Sequence, residues 1–111
     1  MKVIDGVKLF GLNIVMRPAL RAVDIVYARY GVEAVITSTT EGVHSAGSYH
    51  PYGYAFDVRT RDLPGVHMAR FIAEITVEIA KQARLLWGVK PAKFQVIVES
   101  NHLHVEYEVD K

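Results

Sequence analysis

The chain contains no cysteine, so disulfide bonds and cysteine-ligated metal clusters cannot hold its fold together. A chain of 111 residues, half of them hydrophobic, must rely on a buried core instead. At this length, folding removes roughly two-thirds of the unfolded surface from water, which is enough for one compact domain. We therefore expect a single domain over residues 1–111. Any metal site in it must use His, Asp or Glu.

Charge and hydropathy argue against two classes of partner. Thirteen Lys and Arg stand against twelve Asp and Glu, with no block of five or six like charges, so nucleic acid is not an expected partner. No segment reaches the roughly 18 consecutive apolar residues that span a bilayer. Asp5, Gly6 and Lys8 precede any apolar run, so a secretory signal is not expected. These patterns predict no membrane partner and a protein that is cytoplasmic as synthesised.

Hydrophobic periodicity predicts two helices. The first is expected from Arg17 to Tyr30, and its apolar positions recur at helical spacing: Leu20, Val23, Tyr27 and Tyr30. The second is expected to begin just after Pro64-Gly65 and to run to about Trp87. Its apolar stripe consists of Met68, Ile72, Ile75, Ile79, Ala83 and Leu86.

Four short segments read as strands because they are apolar and β-branched or alternate in polarity. They are Glu33 to Ser38, Tyr54 to Thr60, Phe94 to Val98 and His102 to Tyr107. The turn-prone pair Ser100-Asn101 predicts that the last two strands form a hairpin. The expected fold class is α+β, with helices packed on one side of a small, mostly antiparallel sheet.

Two polar islands within this framework are hard to explain by packing. His50 and Asp57 are seven residues apart, but Pro51 and Gly53 exclude two turns of helix between them. The chain must therefore turn and enter a strand, which can return Asp57 to face His50. Along that strand Asp57 lies in an apolar context, where an unpaired carboxylate is costly.

The second island contains His102 and His104, which project from the same face of a strand because they are two residues apart. Neighbouring imidazoles repel when protonated and need partners when neutral, and a divalent metal ion supplies one. A lone buried histidine is more often a hydrogen-bonded core residue, but the two islands together favour a metal site. Two His and one carboxylate are a common zinc set with an open fourth position. The other two histidines, His44 and His67, are interpreted as surface or capping residues.

The first island resembles a known signature. The run Ser48-Tyr-His50-Pro-Tyr-Gly53-Tyr-Ala55-Phe-Asp57 is similar to the S-x-H-x-x-G-x-A-x-D pattern of zinc peptidases related to D-Ala-D-Ala carboxypeptidases and dipeptidases, the peptidase M15 family. This group includes the L-alanyl-D-glutamate peptidases of phage endolysins, and the zinc-binding Hedgehog signalling domain shares its fold. The pair His102-Leu-His104 resembles the H-x-H that ends the motif in part of the group.

The resemblance implies a role for each matching residue. His50, Asp57 and His104 would bind Zn²⁺, His102 would stabilise the transition state, and Glu99 would act as general base. A second register stays open, because Glu99-Ser-Asn-His102 also fits the E-x-x-H of other members, in which the histidine is the ligand. His104 is the preferred ligand, since His104-Val-Glu106 resembles the continuation found in many relatives.

Substrate binding is assigned to Ser48, Tyr49 and Arg59. Many relatives carry an arginine shortly after the Thr-Ser of the strand that leads into the loop, whereas this chain reads Ser38-Thr-Thr-Glu41. Arg59 would replace that arginine only by a different route.

The expected function is that of a zinc-dependent peptidase acting on peptidoglycan peptides, of the D-Ala-D-Ala carboxypeptidase or the L-Ala-D-Glu endopeptidase type. The alternative is a non-catalytic zinc module of the same fold that binds another protein, as in Hedgehog. Small size and the missing signal suit a phage enzyme released to the cell wall, although a bacterial cytoplasmic dipeptidase would share both features.

Overall fold

The structure is a computed structural model that describes residues 1–40, 53–63 and 65–109. Two helices, α1 (Arg17–Arg29) and α2 (Met68–Ala83), pack against a five-stranded sheet. The strands are β1 (Lys2–Val3), β2 (Val35–Ser38), β3 (Ala55–Arg59), β4 (Phe94–Val98) and β5 (His102–Tyr107). The predicted α+β class is confirmed. No helix among the described residues is long and apolar enough to cross a membrane.

The sheet is mixed, with the strand order β1-β2-β3-β5-β4. Only β1 and β2 are parallel, and the other neighbours are antiparallel. The predicted hairpin between β4 and β5 is confirmed, and the backbone amide of Glu99 donates to the carbonyl of His102 at 2.9 Å across its turn. The four predicted strands are present, and β1 is an addition that two residues with no alternation could not signal.

One face of the sheet carries the core. Phe56 and Val58 on β3, with Leu103 and Val105 on β5, are completely buried against both helices. The alternate residues of these strands, including Asp57 and His104, therefore lie on the opposite face. The predicted alternation along β3 is confirmed, and it divides the sheet into an apolar face under the helices and a polar face.

The helices differ from the sequence prediction in two respects. The stripe predicted for α2 omits Phe71, which is fully buried, and the stripe predicted for α1 includes Tyr30, which is 37% exposed. Helix α2 also ends at Ala83 rather than near Trp87. Beyond Ala83 the side chains of Leu85 and Trp87 are exposed, so no core contact stabilises a further helical turn. Tertiary packing supplies most of the stability of helices in proteins, which explains the early end.

Candidate metal centre

The polar face of the sheet places four predicted site residues on two adjacent strands. Asp57 on β3 lies directly opposite His104 on β5, and Arg59 lies opposite His102 in the same antiparallel register. Residues that face each other across two strands have neighbouring side chains. Positions 47 residues apart in the sequence thus become direct neighbours.

Asp57 is shared by both imidazoles. His104 Nδ1 lies 3.0 Å from Asp57 Oδ1, and His102 Nε2 lies 3.6 Å from Asp57 Oδ2. The three side chains are 14–27% exposed, so they are shielded by neighbours and still accessible to a small ligand. Asp57, whose carboxylate was predicted to need a partner, is paired with two histidines on the adjacent strand.

Each imidazole has a second partner that fixes its orientation. His102 Nδ1 donates to Asn101 Oδ1 at 2.7 Å, and His104 Nε2 donates to Glu106 Oε1 at 2.7 Å. The other nitrogen of each ring, Nε2 of His102 and Nδ1 of His104, is thereby directed at Asp57. Metal-binding histidines are held in the same manner, with the non-ligating N–H donated to an oxygen acceptor.

Glu106 also belongs to this group, although it is not among the site residues predicted from the sequence. Its signal was present in the alternation of β5, because His102, His104 and Glu106 are each two residues apart and share one face. The carboxylates of Asp57 and Glu106 hold the His104 ring from both sides.

The proton of His104 is stabilised by this arrangement. The hydrogen bond to Asp57 raises the pKa of His104 above its ordinary value, burial lowers it, and the hydrogen bond to Glu106 raises it further. The net shift is upward. A metal ion at Nδ1 would have to displace that proton, so metal binding at this residue is expected to weaken as the pH falls.

The two separations between Asp57 and the histidines are close to the distance between two ligand atoms on one zinc ion. Two atoms bound to one tetrahedral zinc at about 2.0–2.1 Å lie about 3.3 Å apart, and the distances of 3.0 and 3.6 Å from Asp57 oxygens to the two histidines bracket that separation. With Nδ1 donating to Asn101, His102 presents its Nε2 lone pair to a carboxylate oxygen of Asp57. Two facing acceptors are satisfied by a cation between them.

The described residues do not supply a whole site. Within residues 1–40, 53–63 and 65–109, no group of three or more His, Asp or Glu side chains is arranged to hold a metal ion. The predicted ligand His50 lies outside the described residues, as do Ser48, Tyr49 and His44. The described part of the chain therefore supplies two ligands of the proposed metal, Asp57 and one of the two β5 histidines.

Glu99 and Arg59 lie beside this group without joining it. Glu99 is exposed at the start of the hairpin turn, opposite His102 in the backbone pairing. Arg59 donates to the carboxylate of Asp62 at 2.7 and 3.0 Å, so its guanidinium must leave that partner before it can bind a substrate carboxylate. His67, interpreted as a capping residue, caps α2: its Nδ1 accepts from the backbone amide of Arg70 at 3.3 Å.

Comparison with known proteins adds no assignment. Neither the models of known protein families nor the curated protein sequences match this chain.

Proposed function

We propose that this protein is a zinc-dependent peptidase that hydrolyses peptidoglycan peptides of the D-Ala-D-Ala or the L-Ala-D-Glu type. The observation that carries the proposal is the carboxylate of Asp57, which faces one nitrogen of His102 and one of His104. Hydrogen bonds to Asn101 and Glu106 hold the opposite nitrogen of each ring. The identity of the substrate rests on the motif from Ser48 to Asp57.

Zinc would be held by Asp57, His50 and one of the two β5 histidines. When bound, it supplies a Lewis acid for the scissile carbonyl and lowers the pKa of a water ligand to about 7. Asp57 neutralises part of the positive charge. Glu106 orients His104, and Asn101 orients His102, so neither ring has to be ordered when the substrate arrives.

Proton transfer is assigned to Glu99. Glu99 is exposed, and its backbone amide donates to the carbonyl of His102. From this position its carboxylate would take a proton from the attacking water and pass it to the leaving amine. If His104 is the ligand, a proton on Nε2 would let His102 donate a hydrogen bond to the oxyanion that develops on the carbonyl. Arg59, released from Asp62, would bind a carboxylate of the stem peptide in a bidentate manner.

The test of this function is a pair of measurements on Glu99→Gln. Loss of a general base lowers the rate of hydrolysis by about 10²–10⁴-fold, while the zinc content should stay at the wild-type level because Glu99 is not a ligand. The substrates are a D-Ala-D-Ala dipeptide and a stem peptide with an L-Ala-D-Glu bond. Glu108→Gln is the matched control, since Glu108 is an exposed carboxylate just after β5 and bonds to Gln95.

Full activity in Glu99→Gln would remove Glu99 from the mechanism. A wild-type protein that binds zinc and hydrolyses neither substrate would instead favour the non-catalytic zinc module. One observation favours that alternative: within the described part of the chain, the Glu99 carboxylate has no hydrogen bond or ion pair that would hold it at the metal.

A further inference from the structure

A surface away from the candidate metal centre combines exposed apolar side chains with arginines. It consists of three adjoining shallow hollows. The first, of about 450 Å³, is lined by Leu9, Phe10, Leu12, Asn13, Ile14, Arg17 and Leu20. The second, of about 410 Å³, is lined by Arg17, Pro18, Arg21, Gln82, Leu85 and Leu86. The third, of about 190 Å³, is lined by Ile14, Val15, Leu86, Trp87, Gly88 and Val89. We call their combined lining the apolar-basic surface.

The three hollows form one continuous surface because each pair shares a residue. Arg17 lines the first and the second, Ile14 lines the first and the third, and Leu86 lines the second and the third. The surface therefore joins the segment before α1, the exposed side of α1 and the turn after α2.

Four apolar side chains of this surface project into solvent. Trp87 is fully exposed, Phe10 is 86% exposed, Leu85 is 77% exposed and Ile14 is 61% exposed. Phe10 lies in a short 3-10 turn, and Trp87 lies in the turn that follows α2. Single exposed apolar residues are common, but a contiguous group of this kind marks a binding surface.

The charges on the surface have one sign. Arg17 and Arg21 are exposed one helical turn apart on α1, so they lie on the same side of the helix. The ammonium of Lys8 lies 5.9 Å from the centre of the Phe10 ring. Among the described residues, no Asp or Glu lines any of the three hollows.

We propose that the apolar-basic surface binds bilayers that contain anionic phospholipid. Amphipathic aromatic rings such as Trp insert at the headgroup level of a bilayer, and basic side chains beside them attract anionic headgroups. A second copy of the chain fits less well, because a symmetric contact would bring together two surfaces of the same positive charge. An acidic polypeptide would neutralise the arginines. It fits less well because Phe10 and Trp87 project from two separate turns and do not line one apolar groove.

The proposal is independent of the peptidase assignment. It departs from the sequence prediction that the protein has no membrane partner, which rested on the absence of a spanning segment. Peripheral binding needs no such segment.

The test is flotation of the full chain with vesicles of phosphatidylcholine mixed with phosphatidylglycerol, compared with vesicles of phosphatidylcholine alone. The wild type should bind the mixed vesicles and show little binding to the neutral ones. Trp87→Ala should lower the partition coefficient about tenfold, since it removes one inserted side chain. Arg17→Gln should lower it about fivefold, since each basic residue near an anionic surface contributes about that factor.

Two matched variants control for general effects of substitution. Val77→Ala shortens an apolar side chain that is 57% exposed outside the surface. Arg61→Gln removes an exposed arginine in the turn after β3. The segment before α1 contacts the chain at the opposite end of β3, where the amide of Asn13 donates to the carbonyl of Gly53. Both variants, and Asp57→Asn in the candidate metal centre, should bind vesicles like the wild type.

Several results would overturn the proposal. One is that the wild type does not bind the mixed vesicles. Another is that the wild type, Trp87→Ala and Arg17→Gln bind them equally. Dimerisation that Trp87→Ala abolishes, without vesicle binding, would assign the surface to a second copy. Binding of poly-L-glutamate without vesicle binding would assign it to an acidic polypeptide.

Discussion

At the scale of single residues, the candidate site depends on how Asp57 is partnered. Its carboxylate is 15% exposed between apolar neighbours on β3, and burial of an unpaired charge there would be strongly unfavourable. His104 and His102 face its two oxygens. The same contacts stabilise a proton on His104 or a cation between the three side chains. If the proposed metal ion binds His104 through Nδ1, it would have to displace the proton that Asp57 stabilises there.

Glu106 provides the first prediction at this scale. Its carboxylate accepts from His104 Nε2, and loss of such a partner weakens metal binding by about 10–100-fold. Glu106→Gln keeps the shape of the side chain but removes the negative charge that makes the His104 imidazole a stronger metal ligand. We expect the zinc affinity, measured by competition with a chromogenic chelator, to fall by that factor.

The control for Glu106→Gln is Glu108→Gln. Glu108 is the next glutamate on the chain and accepts from Gln95 rather than from a histidine. Its variant should bind zinc like the wild type. An unchanged affinity in Glu106→Gln would show that His104 is not a ligand and would favour the register in which His102 is.

At the scale of elements, α1 and α2 are joined by a buried carboxylate. Glu78 on α2 is 5% exposed and accepts hydrogen bonds from Arg29 on α1 and from Gln82. Burial raises the pKa of Glu78, but the hydrogen bonds from Gln82 and Arg29, with the charges of Arg29 and Lys81, outweigh burial and lower the pKa below its ordinary value. The charged form of Glu78 therefore stabilises the folded state.

This shift predicts how stability depends on pH. A carboxyl group with a lowered pKa in the folded state contributes its stabilisation above its unfolded pKa of about 4.3, and the contribution is lost as the pH falls through the folded pKa. Glu78→Gln should cost about 1–3 kcal/mol in free energy of unfolding near neutral pH. The difference from the wild type should shrink in acid, as measured by urea denaturation.

The control for this prediction is Glu33→Gln, which changes an exposed carboxylate between α1 and β2. It should leave the free energy of unfolding within about 0.5 kcal/mol of the wild type. A cost of Glu78→Gln that is the same at neutral and at acid pH would mean that the charge of Glu78 does not stabilise the fold.

The entry to β3 provides a second prediction at this scale. Gly53 has φ +80°, and a Cβ there would lie 2.5 Å from the carbonyl oxygen of Gly11 and 3.0 Å from the amide nitrogen of Asn13. Gly53→Ala combines the left-handed conformation, which costs about 1–2 kcal/mol, with a clash against backbone. We expect a loss of at least about 2 kcal/mol in the free energy of unfolding.

Gly6→Ala separates the two contributions. Gly6 has φ +87° with open space around its Cβ position, so only the conformational cost of about 1–2 kcal/mol applies. If thermal denaturation gave equal losses for the two variants, the close approach of Gly53 to Gly11 would be wrong.

Sequence patterns located most of the helices and strands. The missed strand β1 and the misplaced end of α2 have physical causes. The four longer strands and both helices follow from alternation and helical periodicity, which depend only on local sequence. Strand β1 has two residues and exists through parallel pairing with β2, a contact that no local pattern encodes. The end of α2 depends on what its last residues contact. Leu86 continues the periodicity after the helix has ended.

At the scale of the whole molecule, the sequence located the candidate residues but not their mutual contacts. The spacing of His102 and His104 predicted that both side chains lie on one face of β5. The apolar context of Asp57 predicted that its carboxylate is paired. The two histidines became the partners of Asp57 because the strand order β3-β5-β4 places β5 directly beside β3. Local sequence does not encode that order. The roles of Asn101 and Glu106 became visible only when the contacts were known.

The whole molecule also separates its two proposed activities. The candidate metal centre lies on the polar face of the sheet, and the apolar-basic surface is formed by residues before and within α1 and at the end of α2. The two regions share no described residue. Substitutions in one are therefore expected to leave the other unchanged, and near-additive effects are the rule for separate sites.

The metal content of the purified protein tests the central claim most directly. We would measure zinc per chain by elemental mass spectrometry for the wild type, Asp57→Asn, His50→Ala and His104→Ala, with His67→Asn as a histidine control that keeps a capping side chain on α2. We expect one zinc per chain in the wild type and the control, and loss of zinc in the other three. A wild type that holds no metal after zinc is supplied, or an Asp57→Asn variant that retains it fully, would mean that Asp57 does not form part of a zinc site.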